Sequence, residues 1–246
     1  MLILLPPSEG KTAPPKGPPV DLEALAYADA LTESRRKLLG ALAGLAALPL
    51  ERAVSMLAVS KGQAGEVAVD AGLSSAPAAP AAKIYTGVLY DYLGLPDLPK
   101  RAQSRVLIAS ALWGVVRPAD RIPYYRFSAK ARLDGIGPLA AFWRPALATA
   151  LPDKPGDLVV DMRSGAYAAA WKPRRATLLA VRAFSETRGK RKPVSHMAKA
   201  VRGEVARVLL ESKSAPKTPE AAAHLVTAAG FRVELTAATL DVIVPA

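Results

Sequence analysis

The chain has 246 residues, 51% of them hydrophobic, and a mean hydropathy of +0.17; this excludes general disorder and leaves enough apolar side chain for a substantial core. Lys and Arg number 33 against 21 Asp and Glu, a formal charge of +12, so a polyanionic partner is expected: nucleic acid first, a phosphorylated small molecule second. With no cysteine and only two histidines, His196 and His224, the sequence excludes disulfides, thiolate metal sites, cysteine nucleophiles and a multi-histidine centre, and no cofactor or metal is expected.

Residues 1–5 form a short apolar run, broken by Pro6-Pro7 and followed by Ser8-Glu9-Gly10-Lys11. The run is too short to cross a membrane and suits a buried strand, which would deliver Ser8, Gly10 and Lys11 to a sheet end where α/β proteins place ligands. The Gly-x4-Gly-Lys spacing of a P-loop is absent. Residues 13–19 read as a Pro-rich loop, and 21–48 as a helix with Asp21 as N-cap. Residues 53–59 read as a second buried strand ending at Ser60-Lys61-Gly62. A loop over 72–82 leads to a helix over 83–93 that contains Ile84-Tyr85-Thr86-Gly87. Residues 105–113 read as a strand or apolar helix, and Pro118 and Pro123 keep 114–126 from forming a long regular element. A proline-opened helix over 138–151 precedes a strand over 157–162, which runs into Arg163-Ser164-Gly165-Ala166-Tyr167. A strand over 177–184, a hairpin through Gly189 and a helix over 196–210 follow. Residues 218–230 form a helix capped by Thr218, and strands over 233–235 and 240–244 close the chain. The expected architecture is one compact mixed α/β domain over residues 1–246, a mixed sheet flanked by helices, cytoplasmic and monomeric.

Three groups of residues are candidates for chemistry. The first is the basic run from Lys172 to Arg207, in which eleven cations meet only Glu186 and Glu204. On its helix Lys199, Gly203 and Arg207 share one face, away from the apolar stripe of Ala198, Val201, Val205, Val208 and Leu209. A glycine inside a helix costs about 1 kcal/mol relative to alanine, and close approach of a phosphate or of another backbone would explain it. The second is Trp113-Gly114-Val115, an apolar-Gly-apolar turn of the kind found in helix-hairpin-helix DNA binders. Near it Arg117 and Arg126 are natural phosphate ligands, and Tyr124 and Tyr125 could stack on a base. The third is a scatter of hydroxyls and lysines at expected strand ends: Ser8, Lys11, Ser60, Lys61, Ser164 and Tyr167. In an open sheet these would meet in one crevice, with Lys or Tyr free for proton transfer. There is no Ser-His-Asp set, and Asp120 and Asp161 read as turn and structural residues.

Those same segments resemble the YaaA family of peroxide stress resistance proteins. The resemblance starts at Met1-Leu-Ile-Leu-Leu-Pro-Pro-Ser-Glu-Gly-Lys11. It continues through Ile84-Tyr-Thr-Gly87, Trp113-Gly-Val-Val-Arg-Pro-Ala-Asp120, Tyr125-Arg126, Phe142-Trp143 and Ser164-Gly-Ala-Tyr167. It ends at Ser195-His-Met-Ala-Lys-Ala-Val-Arg-Gly203, similar to the family's Ser-x-x-Ala-Lys-x-x-Arg-Gly. The resemblance implies a mixed α/β fold with a positively charged cleft and a helix-hairpin-helix-like element, DNA binding, and a role in limiting free intracellular iron and DNA damage. The chain offers no iron ligand set, so any effect on iron would be indirect. Two functions follow as expectations. One is sequence-independent binding of duplex DNA through Tyr85, Thr86, Gly87, Gly114, Arg117, Tyr125, Arg126, Ser164, Lys190, Lys199, Arg202 and Gly203. The other is an enzyme acting on a nucleotide-like anion, with Ser8, Lys11, Lys61, Tyr167 and Lys199 in its pocket. Motif residues gathered in a deep pocket would favour the second, and an open groove wide enough for a duplex the first.

Overall fold

A computed structural model describes residues 1–187, 190–193 and 197–245. The opening apolar run forms β1 (Leu2–Leu5), followed by α1 (Ala28–Ala43), α2 (Leu50–Leu57) and α3 (Glu66–Ala71). Then come β2 (Ala78–Pro80), α4 (Ala81–Ile84), α5 (Val88–Leu93), α6 (Lys100–Gln103), β3 (Val106–Ser110), β4 (Gly114–Val116) and β5 (Arg121–Pro123). The second half carries α7 (Leu139–Ala150), β6 (Leu158–Asp161), α8 (Gly165–Ala168), β7 (Thr177–Thr187), β8 (Lys190–Pro193), α9 (Met197–Glu211), α10 (Pro219–Ala228), β9 (Arg232–Leu235) and β10 (Thr239–Pro245).

One eight-stranded mixed sheet runs in the order β4-β3-β1-β6-β7-β10-β9, with β8 paired to the far end of β7. The pairs β1–β3, β1–β6, β6–β7 and β7–β10 are parallel; β3–β4, β7–β8 and β9–β10 are antiparallel. Ile3, Leu4, Leu5, Val106, Ile108, Val159 and Val160 are buried, as continuous apolar strands covered on both faces should be. From β1 the chain leaves toward β3 on one side, then returns past β1 to β6 and continues to the other. Between β1 and β6 the order reverses, and in such sheets the crevice outside the carboxyl ends at that point is the ligand position. Among the described residues, no helix is long and apolar enough to cross a membrane.

Several expectations change. The helix expected over 21–48 is shorter: Asp21 caps only a 3-10 turn over Leu22–Ala24, and α1 starts at Ala28 behind Tyr27 and ends at Ala43. The loop expected over 72–82 contains β2, paired with β5. Residues 53–59 are not a strand: α2 buries Ala53 and Leu57, one turn apart, while Arg52 and Ser55 face solvent, and Ala58 at φ 53° ends it. The helix expected over 83–93 is two short helices broken at Tyr85–Gly87, where the loop after β1 docks. The turn at Trp113-Gly114-Val115 joins β3 to β4, two antiparallel strands with Ile108 opposite Val116, so it is not a helix hairpin. Gly114 lies at φ +72°, and a Cβ there would sit 2.9 Å from the Trp143 ring; its smallness serves packing, not phosphate approach. The hairpin centre at Gly189, and Ser195 and His196 of the last motif, lie outside the described residues.

Candidate functional site

A cavity of about 670 Å³ opens outside the carboxyl ends of β1 and β6. Its first wall is the loop Pro6–Lys11, held by backbone hydrogen bonds from Thr86 to Gly10 (3.2 Å) and from Thr12 to Ile84 (2.9 Å). The Tyr90 hydroxyl also donates to the Pro6 carbonyl at 2.7 Å. Docking this loop accounts for the break between α4 and α5, because the Tyr85–Gly87 segment turns its backbone to the loop, and Gly87 at φ +98° permits it. The second wall follows β6. Arg163 is buried there, paired with Asp161 at 2.8 Å and donating to the Trp171 carbonyl at 2.8 Å. This clamp fixes the start of α8, so that Ser164 and Tyr167 line the cavity. Residues Arg126–Lys130 form a third wall, and Lys199 and Arg202 reach in from α9.

Lys11 is the most perturbed cation of the site. Its Nζ donates to the Ser8 carbonyl at 2.7 Å and lies 4.5 Å from the Tyr125 ring centroid and 5.8 Å from that of Tyr85. Burial, helped by the nearby Arg126 guanidinium, brings its pKa down to about 8, against the opposing pull of Asp70, Glu9 and Glu66. Behind it α3 presents Glu66 and Asp70, one turn apart. The Asp70 carboxylate is 1% exposed and accepts from the Arg126 backbone N–H at 2.8 Å, while Glu66 accepts from the Tyr124 hydroxyl at 3.0 Å. Burial pushes the Asp70 carboxyl up to about 6, and its second oxygen and that of Glu66 have no hydrogen-bond partner within the described residues. Arg126 is thus held at its backbone by Asp70 and at its guanidinium by the Glu9 carbonyl (2.9 Å). Elsewhere in the cavity lining, burial raises the Tyr167 phenol above its ordinary range, which keeps it protonated as a hydrogen donor.

Nine residues chosen from sequence line this one cavity: Ser8, Lys11, Thr86, Gly87, Arg126, Ser164, Tyr167, Lys199 and Arg202. Tyr85 and Tyr125 sit beneath it instead, each 1% exposed, with hydroxyls 2.7 Å apart and Tyr125 bonded on to Ser110 at 2.8 Å. They support Lys11 and offer no ring face for a base. Lys61 is exposed and does not line the cavity, although Gln63 of the same short turn does, and Lys190 lies on β8 at the sheet's periphery. Arg117 also points elsewhere, packing over the Tyr27 ring at 5.6 Å. Gly203 is spent on helix packing, since a Cβ there would lie 2.9 Å from Cβ of Tyr92 on α5. Three of the eleven cations of the basic run are paired among the described residues. Arg182 bonds Asp241 at 2.6 Å, Arg191 bonds Glu186 and Glu234, and Arg207 bonds Glu211 at 2.8 Å. Glu234 and Asp241 come from β9 and β10, which local charge counting does not reach. Asp120 and Asp161 are structural as expected, Asp120 capping the Arg117 and Ala26 amides. The residues that sequence reasoning missed are Glu66 and Asp70. Their only signal is the i, i+4 spacing of two acids on a short helix.

The family described as Peroxide stress protein YaaA matches residues 1–236. A UPF0246 protein of Streptomyces coelicolor is 44% identical over 248 residues, covering 96% of this chain and 93% of its own length. UPF0246 proteins of Corynebacterium glutamicum strain R and Corynebacterium efficiens are each 38% identical, and in both alignments about 95% of each chain is covered.

Proposed function

The chain belongs to the peroxide stress protein YaaA family, and from that premise we propose that it acts in the peroxide-stress response by binding DNA, seating one nucleotide-like anionic unit in the cavity outside the carboxyl ends of β1 and β6. The observation that carries this reading is the convergence of Lys11, Arg126, Lys199 and Arg202 with Ser8, Thr86, Ser164 and Tyr167 around a single cavity of about 670 Å³. That volume suits a mononucleotide-sized ligand. Arg126, Lys199 and Arg202 supply charge-assisted hydrogen bonds to a phosphate, and the hydroxyls supply neutral donors and acceptors for a sugar or base. A net charge of +12 adds a sequence-independent attraction for the rest of a strand.

The test is a binding titration against thymidine 5′-phosphate and against duplex DNA over a salt series. The mononucleotide should saturate one site, compete with DNA, and bind roughly 10- to 100-fold more weakly to Arg126→Ala, the loss of one charge-assisted contact. DNA binding that mononucleotide never displaces, with Arg126→Ala and Lys199→Ala both neutral, would refute it.

A further inference from the structure

Resting on that reading of the cavity, we infer that the Lys11 amine is a nucleophile that forms an imine with an aldehyde carried on a phosphorylated sugar, the ring-opened form of a base-free deoxyribose 5-phosphate unit. The placement of the amine carries the inference. As a phosphate anchor Lys11 is poorly built. It lies against two aromatic rings and a backbone carbonyl, and Arg126, Lys199 and Arg202 already bring positive charge to the cavity. Burial and the neighbouring Arg126 charge both favour the neutral amine. Only the neutral form has the lone pair needed for attack. The loop that holds it is tied down at Gly10, Thr12 and Pro6, so the amine is presented on a fixed support.

The step balances with groups on the page. The Nζ lone pair bonds to the aldehyde carbon as the carbonyl π bond opens to oxygen, giving a carbinolamine after proton transfer from nitrogen to oxygen. Loss of its hydroxyl as water forms the C=N bond. The Tyr167 phenol, which lines the same cavity and is kept protonated by burial, is the donor for the departing hydroxyl. No oxidant or reductant is consumed, and water reverses the reaction.

The experiment is reductive trapping. The full chain is incubated with sodium cyanoborohydride and either 2-deoxyribose 5-phosphate or a duplex oligonucleotide holding one base-free site, then analysed by intact mass and peptide mapping. The expected result is a single adduct on Lys11. At pH 8 it should form roughly 100-fold faster than on an exposed lysine, whose amine is almost wholly protonated there. A Lys11 adduct with the sugar phosphate alone assigns a free metabolite as substrate, and one with the oligonucleotide assigns a DNA strand. Lys11→Arg should abolish the adduct, and Tyr167→Phe should slow it, with circular dichroism and thermal midpoint verifying the fold of each. No adduct on Lys11 of the unmodified chain, or an adduct yield unchanged in Lys11→Arg and spread over exposed lysines, overturns the inference. If thymidine 5′-phosphate still binds in the cavity in that event, only the imine is lost; if it does not, the nucleotide reading falls with it.

Discussion

Gly203→Ala separates packing from ligand binding at one position. The methyl would enter the α5–α9 contact 2.9 Å from Cβ of Tyr92, and closer still to the Leu89 carbonyl oxygen. That oxygen belongs to the backbone of α5, so it cannot swing aside as a side-chain tip would. Overpacking of this kind costs about 1–3 kcal/mol, and contact with backbone places it at the upper end. Alanine returns about 1 kcal/mol through its better helix propensity. The net expectation is a loss of about 2 kcal/mol, or roughly 4–8 °C in Tm for a chain of this size. Urea and thermal unfolding followed by far-UV circular dichroism would measure it. A variant that becomes more stable by about 1 kcal/mol would refute the reasoning, because it would mean that this face of α9 is open. Such a gain together with weaker nucleotide binding would instead restore the phosphate-approach reading of Gly203.

Four further outcomes are expected. Tyr125→Phe removes the hydroxyl shared by Tyr85 and Ser110, and should lower stability by about 1–3 kcal/mol in chemical unfolding. Arg163→Met leaves Asp161 buried without its partner and should cost about 3–5 kcal/mol, with part recovered in the Arg163→Met, Asp161→Leu double variant; equal losses in both would argue against ion-pair burial as the cause. Asp70 has a folded pKa above its unfolded value, so its stabilising contribution is complete below about pH 4 and is lost as pH rises through about 6. Asp70→Asn should therefore flatten the stability profile between pH 4 and 6, and an unchanged slope would mean that another group titrates there. Lys11 is the opposite case: its folded pKa is depressed, so its contribution is present above about pH 10.5 and lost as pH falls through about 8. Lys11→Met should then raise the Tm at pH 7 and lose that advantage above pH 10.

Much of the parallel core of the sheet was legible because its strands are buried on both faces and read as plain apolar runs: residues 2–5 and 158–161 as strands, while the run at 106–110 left strand and helix open. The same signal misled at residues 53–59. Ala-Val-Ser-Met-Leu-Ala-Val has strand-like hydrophobicity, but only Ala53 and Leu57 reach the core, and that four-residue spacing is helical. Strands β2, β4 and β5 are three residues each, too short to leave a period. The break at Tyr85–Gly87 is a tertiary effect: the backbone bonds that open the helix come from Gly10 and Thr12, over seventy positions earlier in the chain. Long-range pairing hid the electrostatics as well, since the carboxylates answering Arg182 and Arg191 arrive on the last two strands.

The site itself was half legible, and the division has a physical cause. Residues that follow a parallel strand must emerge at its carboxyl end, so Ser8 and Lys11 after β1 and Ser164 and Tyr167 after β6 were bound to meet once those strands paired. Residues whose role is to hold those groups follow no such rule. Asp70 and Glu66 reach the site from a six-residue helix outside the sheet, Asp70 holding the Arg126 backbone N–H and Glu66 the Tyr124 hydroxyl, and neither lines the cavity. Their position has a consequence for stability. A buried carboxyl with one unpartnered oxygen and a buried amine without an ion pair, within reach of each other's charge, both oppose folding at neutral pH. The fold sustains them through the large apolar core beneath, where Tyr85, Tyr90, Tyr125 and Trp113 pack with Leu5 and Ile108. Two groups so held, beside three further cations at a strand-order reversal, are better explained by chemistry in the cavity than by packing.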